Sequence, residues 1–146
     1  MKRPILVLAL LTCLPLPAYA LRVPAAYHQV ALEYDVPAGI LFAIAMTESG
    51  RQRKDGQTLP YPWAMNVNGQ PFYFGSRQEA DAHLERILAA GERPDIGLMQ
   101  VNWRYHQHKL GDIRQAFDPW LNLRAGAVVL REAYRARVLR WYTRLD

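Results

Sequence analysis

The chain is almost empty of cysteine: Cys13 is the only one in 146 residues. It lies in an N-terminal stretch expected to be removed, so the mature domain should hold no disulfide and no cysteine-based metal site. Its stability must come from packing. A strong charge of one sign is also missing. The formal charge is +5, and taking away Lys2 and Arg3 leaves 16 basic against 13 acidic side chains, or +3. That mild excess suits a polyanionic partner such as a cell wall, and it suits ordinary solubility equally. There is no internal repeat and no low-complexity segment, which excludes a repeat array. Apolar runs of spanning length are absent as well. The N-terminal run "ILVLALLTCL" is too short to cross comfortably as a helix, so no integral membrane segment is expected once it is removed.

That run has a different use. "MKR" is a basic start and "AYA" a small-x-small cleavage site, the pattern of a secretory signal cut after Ala20. Pro15 and Pro17 speak against a buried helix there. Residues 21–146 are then left as one domain, and 51% hydrophobic with 21% charged residues fits a globular core.

The pattern along this domain is mostly helical. Ala26, Tyr27, Val30, Ala31 and Tyr34 recur at helix spacing, with Pro24 tolerated in the first turn. Asp35 and Pro37 are expected to cap and start a second helix, "GILFAIAM", apolar nearly all round and therefore central. "RQRKDGQTLP" at 51–60 reads as a surface loop. Asn68-Gly69 between two short apolar or aromatic runs predicts a β-hairpin, with Pro71 confining its second strand to an edge. "SRQE" at 76–79 is a capping box opening a helix that stops near Gly91. Asp118-Pro119 is one start signal for the closing helix and Asn122 a second, stronger N-cap. The Arg-rich end "REAYRARVLRWYTR" has arginines at helical spacing, which predicts a solvated helix face and no nucleic-acid partner.

One residue departs from this pattern. Glu48 ends an otherwise apolar helix, just before the breaker Gly50. Burial and the negative end of the helix dipole both favour the protonated carboxyl, which makes a general acid. A surface position with a salt bridge to Arg51 or Arg53 is equally compatible with the local sequence. Glu92, Asp95 and Asp118 fall at turns or caps, outside any apolar run. The aromatics Trp63, Tyr73, Phe74 and Trp103 fit either sugar platforms or hydrophobic anchors. His106 and His108 are two apart and diverge on a helix, so no metal site is expected.

"AMTESG", followed about fifty residues later by "DIGLMQVN" and then by "NLRAGAVVLRE", resembles the soluble lytic transglycosylase (SLT) domain, a lysozyme-like family acting on bacterial peptidoglycan. The inserted "YPWAMNVNGQPFYF" is most similar to a branch found beside conjugation and type IV secretion machinery. The resemblance implies a mainly α, lysozyme-like single domain with a small inserted β-hairpin. Glu48 falls on the family's catalytic glutamate. There it would protonate the β-1,4 glycosidic oxygen between N-acetylmuramic acid and N-acetylglucosamine, then take a proton from the muramic C6 hydroxyl to give a 1,6-anhydro product. Ser49 falls on the motif serine that positions the glutamate or the substrate. Gly97, Leu98, Met99 and Gln100 fall on the block lining the sugar groove. Gln100 and Asn102, alternating with Met99 and Val101, are expected on one side of an extended segment. The "NLRAGAVVL" block, with Asn122 and Gly126, carries a mostly structural role.

Many relatives close with an Ala-Tyr-Asn-Ala-Gly type segment whose tyrosine approaches the acid. Here "RVLRWYTRLD" offers Tyr142 instead. No cofactor is implied. The implied partners are peptidoglycan glycan strands and secretion or conjugation proteins, and the implied place is the periplasm. Two other functions are left open: a hydrolytic muramidase of goose-lysozyme type, and a non-catalytic wall-binding or secretion-assembly protein.

Overall fold

The computed structural model describes residues 22–142 and 144. The expected signal segment, with Cys13, lies outside the described residues. Helix α1 (Ala25–Tyr34) starts after Pro24 and buries Tyr27, Val30 and Ala31, the i, i+3, i+4 stripe read from the sequence. It ends at Asp35, whose left-handed φ of 53° turns the chain while its N–H still donates to the Ala31 carbonyl. Asp35 therefore closes α1, and its side chain does not cap the next helix as expected. Pro37 is the N-cap residue of α2 (Ala38–Ser49). The reason is geometric: an aspartate that tolerates the left-handed region can end a helix as readily as it starts one.

Helix α2 is not buried all round. Leu41, Phe42, Ala45 and Ser49 face the core, whereas Ile40, Ala43, Thr47 and Glu48 are exposed. Tyr27 of α1 packs edge-on against Phe42, with ring centroids 4.9 Å apart. Hydrophobic composition does not reveal which side a short helix buries.

The segment expected to be a loop after α2 is instead an antiparallel pair, β1 (Gly50–Gln52) with β2 (Thr58–Pro60). None of its residues is fully buried, so its pairing leaves little trace in hydrophobic pattern. The predicted hairpin is present as β3 (Ala64–Val67) and β4 (Gln70–Tyr73). Asn68 (φ 51°) and Gly69 (φ 86°) form its turn, both left-handed, as a tight hairpin turn requires. Pro71 lies on β4, the edge of a four-stranded sheet of order β4-β3-β5-β6, where β5 is Asp95–Ile96 and β6 is Val101–Asn102.

Between β4 and β5 runs α3 (Arg77–Ala89). Ser76 Oγ accepts from the Glu79 N–H at 3.2 Å, and the Glu79 carboxylate reaches back to the Gly75 N–H at 2.8 Å, a capping box displaced by one residue. The sheet leads into α4 (Trp103–Leu110), capped by Asn102, and the chain ends in α5 (Pro119–Tyr142). Phe117, Leu41, Met65, Leu84, Ile96 and Leu123 are fully buried and join α2, α3, α5 and the sheet in one core. Among the described residues no single helix is long and apolar enough to cross a membrane. The architecture is mainly α and lysozyme-like, with a small antiparallel sheet.

Candidate functional site

A groove opens where α2, the β5–β6 connection and α5 meet. It encloses about 360 Å³ and is lined by Ile44, Glu48, Met99, Gln100, Asn102 and His106 on one part, and by Gly126, Val129, Leu130 and Ala133 of α5 on the other. Glu48 is the only carboxylate among those lining residues. A larger hollow of about 630 Å³ lies at the β1–β2 hairpin, lined by Arg51, Arg53, Lys54 and Asp55. It contains none of the motif residues, so its size does not make it the candidate.

Glu48 is exposed, contrary to the expectation of burial. It stands on the face of α2 that looks into the groove, while Ser49 beside it points the other way and is 1% exposed. Successive helix residues are about 100° apart, so a core-facing Ser49 leaves its neighbour at the rim. Ser49 Oγ bonds to the Ala45 carbonyl (3.1 Å) and the Leu98 carbonyl (2.8 Å), and it accepts from the Tyr61 N–H (3.2 Å). It does not line the groove. It fastens the end of α2 to the Gly-Leu-Met-Gln segment.

That segment, 97–100, is a turn and not the extended piece expected for Gln100 and Asn102. Gly97 has φ 77° and Gln100 φ 45°. A left-handed glutamine costs about 1–2 kcal/mol, which its surroundings must offset. They do so through the side chain: Gln100 Nε2 donates to the Gly97 carbonyl at 2.9 Å and the Ala64 carbonyl at 3.3 Å. Asn102 is likewise engaged, donating to Asp95 Oδ1 (2.8 Å) and accepting from the Arg104 N–H (3.0 Å). Both line the groove with amide groups already tied to the protein.

Asn122 holds the turn from behind. It is not the N-cap of α5; Asp118 takes that role, with Oδ1 accepting from the Leu121 N–H at 2.9 Å. Asn122 is 1% exposed within the first turn of the helix. Its Oδ1 accepts from the Met99 N–H at 2.9 Å and its Nδ2 donates to the Ile96 carbonyl at 2.8 Å. The amide thus satisfies one donor of the turn and reaches one carbonyl at the end of β5. Two glycines make the approach possible. A Cβ on Gly97 would overlap the Asn122 amide, and one on Gly126 would overlap the Met99 side chain.

Four of the expected groove residues, Glu48, Met99, Gln100 and Asn102, thus line one cavity. Ser49, Gly97 and Leu98 lie behind it. The side chain of Tyr142, which ends α5, lies outside the described residues. Trp63, Tyr73, Phe74 and Trp103 are not among the lining residues; Phe74 packs on Phe117 and His83 as an anchor.

Sequence reasoning weighed His106 only as a metal ligand and did not place it in the groove, where it lies. It lies four residues past the cap Asn102, hence on the same side of α4, and it interrupts that helix with φ −132° and ψ 15°. Its Nδ1 is buried without a partner. Burial first, then the nearby Lys109 ammonium, pushes its pKa below the ordinary 6.5, which keeps the ring neutral near pH 7. The i, i+4 spacing from Asn102 was the available signal.

The geometry can be set beside known proteins. The type IV secretion system protein virB1 of Brucella abortus biovar 1, and those of Brucella melitensis biotype 1 and Brucella suis biovar 1, are each 35% identical over 85 residues. The match covers 54% of this chain and 34% of each relative, so it spans about a third of their length. No solved structure matches. The transglycosylase SLT domain matches residues 26–143, a span that takes in Glu48, the 97–100 turn and the Asn122 bracket alike. The chain belongs to the transglycosylase SLT domain family.

Proposed function

We propose that this domain is a peptidoglycan lytic transglycosylase with Glu48 as its catalytic residue. The observation that carries the reading is the position of Glu48: one carboxylate in a groove that it shares with Met99 and Gln100 of the Gly-Leu-Met-Gln turn and with α5, with no second carboxylate among the lining residues. Hydrolytic glycosidases as a rule use two carboxylates, one of them to activate water or to form a covalent intermediate. When the sugar's own C6 hydroxyl is the nucleophile, a single residue serves twice. Glu48 gives its proton to the glycosidic oxygen as the bond breaks. The resulting carboxylate then takes the C6 hydroxyl proton as that oxygen closes on the anomeric carbon.

Exposure of Glu48 in the free protein means that its dry surroundings must come from the substrate. A glycan strand lying in the groove, against Ile44, Met99, Val129 and Leu130, would cover the carboxyl and exclude water around it. Ser49, by fixing the helix end, is the positioning residue. Gln100 and Asn102 shape the groove wall, and His106 adds a neutral ring to it.

The setting is part of the same proposal. An N-terminal signal cut after Ala20 would send the domain to the periplasm, and the similarity to a Brucella type IV secretion system protein supports wall opening for a secretion or conjugation apparatus. The test is mass spectrometry of the muropeptides released from sacculi by the wild type and by Glu48→Gln. A 1,6-anhydromuramic end is expected from the wild type, with release reduced at least about a thousandfold in the variant. A reducing end would make it a hydrolytic muramidase. Binding without any release would make it a wall-binding protein.

A further inference from the structure

The chain just past Glu48 carries three cations, Arg51, Arg53 and Lys54, and one acid, Asp55. Among the described residues Glu48 forms an ion pair with none of them. Arg53 is held by Asp55 at 3.6 Å, and Asp55 Oδ1 also accepts from the Gln57 N–H at 3.1 Å, so these two charges offset each other within the turn of the β1–β2 hairpin. Arg51 is held differently. Its guanidinium lies over the Tyr61 ring, 4.7 Å from the centroid, and over the Tyr73 ring at 5.3 Å, both inside the range of about 6 Å for a cation on an aromatic face.

The platform under Arg51 is fixed. The Tyr61 N–H donates to the Ser49 carbonyl (3.1 Å) and to Ser49 Oγ (3.2 Å), and the Tyr61 hydroxyl donates to the Phe74 carbonyl. Tyr73, on the edge strand β4, has its ring centroid 6.0 Å from that of Tyr61. Rings packed in this way occupy the flat face of a guanidinium and leave its N–H groups, which lie in the plane, for another partner. Among the described residues neither Arg51 nor Lys54 spends a side-chain N–H on an ion pair or a hydrogen bond. Both line the hollow of about 630 Å³ at the hairpin, with Leu59, Pro60 and Tyr61 as its less polar part. The hollow thus holds two uncompensated cations, one of them already oriented.

We propose that this hollow is a subsite for the free carboxylates of the peptides carried by peptidoglycan, gripped by the edge of the Arg51 guanidinium and drawn in by Lys54. The inference rests on the glycan reading of the groove. A planar guanidinium meets a carboxylate with two parallel hydrogen bonds, and one that the tyrosines have already oriented loses less freedom on binding. Three residues of chain separate Arg51 from Glu48, so their Cα atoms are at most about 11 Å apart, and three extended peptide residues span a similar length. A peptide on the sugar beside the scissile bond therefore reaches the hollow while its glycan lies in the groove. The two cavities share no lining residue, so the subsite selects the strand without touching the reacting atoms.

The experiment measures binding of end-labelled soluble glycan strands by fluorescence anisotropy in the Glu48→Gln background, where turnover does not interfere. Strands that keep their peptides, freed from sacculi by an endopeptidase, are compared with the same strands after their carboxylates have been converted to neutral N-methylamides. The parent should bind the amidated strands about tenfold more weakly, and R51Q/K54Q should bind both preparations about as the parent binds the amidated one, with a shallower salt dependence. Tyr73→Leu removes one ring from the guanidinium and R51K removes the planar fork while keeping the charge; each should reduce the difference to about threefold. K54Q alone, at an exposed side chain that contacts neither ring, should do the same and tests the hollow independently of the Arg51 stack. Changing two exposed arginines elsewhere (R93Q/R135Q) should leave the difference near the parent's.

A tenfold difference that persists in R51Q/K54Q overturns the proposal, as does one lost equally in R93Q/R135Q. Binding of the parent to phosphatidylglycerol vesicles, lost in R51Q/K54Q while strand binding stays unchanged, also overturns it, in favour of a lipid surface. The two readings fail separately. A parent that binds neither preparation removes the glycan reading of the groove, whereas equal binding of both removes this inference alone.

Discussion

Ser49 Oγ donates to the Leu98 carbonyl at 2.8 Å, joining residues 49 positions apart in the chain. Through that bond the end of α2, which carries Glu48, is held to the turn whose Met99 and Gln100 line the same groove. The hydroxyl is buried, and it also accepts from the Tyr61 N–H. Position and stability therefore depend on one oxygen.

Replacing Ser49 with Ala leaves the Leu98 carbonyl without the hydroxyl donor, while the Tyr61 N–H keeps its bond to the main-chain carbonyl of residue 49 at 3.1 Å. The expected cost is about 1–3 kcal/mol, which lowers the melting temperature by several degrees. Calorimetry gives that figure. If the proposed function holds, muropeptide release measured well below the melting transition should fall too, because Glu48 is no longer fixed against the groove wall. Unchanged release with a lowered melting temperature would make Ser49 a purely structural residue.

Asn122 offers a sharper contrast. In Asn122→Ala the Met99 N–H and the Ile96 carbonyl both lose their partner inside a closed core, for a loss of about 2–5 kcal/mol. Asn122→Asp keeps an acceptor for Met99 but sets a carboxylate oxygen against the Ile96 carbonyl. It should be destabilised as well, and more so as pH rises and the new acid ionises. Denaturant titrations at two pH values separate these cases. An alanine protein as stable as the parent would mean that the bracket does not hold the turn.

Acid should weaken the fold through two histidines. The His83 ring lies 5.1 Å from both Phe72 and Phe74, its Nε2 is buried without a partner, and burial, helped by Arg86, pushes its pKa below 6.5. His106 is lowered for the same first reason, with Lys109 and His108 acting in the same direction and Glu132 against them. A lowered folded value means that the unfolded chain binds more protons in this window. Stability from these groups is therefore complete above pH 6.5 and lost as pH falls through the lowered values. Asp81 has the opposite sign: burial raises it above 3.8, against Arg77 and with Glu85, so its contribution is lost as pH rises from that value. The melting temperature should drop between about pH 7.5 and pH 5, and His83→Gln with His106→Gln should flatten that drop. A flat profile in the parent would remove the histidine account.

The local signals carried far along this chain. Asn68-Gly69 needs only its own backbone preferences to make a hairpin turn, Ser76 and Glu79 meet across one helical turn, and the stripe of Tyr27, Val30 and Ala31 is a matter of spacing. All three are present in the structure. The blocks around Glu48 and Gly97 likewise told the family from the sequence alone, in agreement with the match over 26–143.

What the sequence left undecided depends on partners distant in the chain. Asp35 and Asn122 both carry cap chemistry, but one ends the helix before it and the other turns inward to bond Met99 and Ile96. Pairing of 50–52 with 58–60 is set by backbone bonds between residues that are exposed or half-buried, which hydrophobic pattern does not record. The exposure of Glu48 follows from which side of an almost uniformly apolar helix meets the core. The sequence by itself determined α1, the 68–69 hairpin turn, the start of α3 and the motif residues, because those follow from preferences within a few residues. Only the tertiary structure decided which motif residues face the groove and which brace it, because that choice is made by contacts between segments dozens of positions apart.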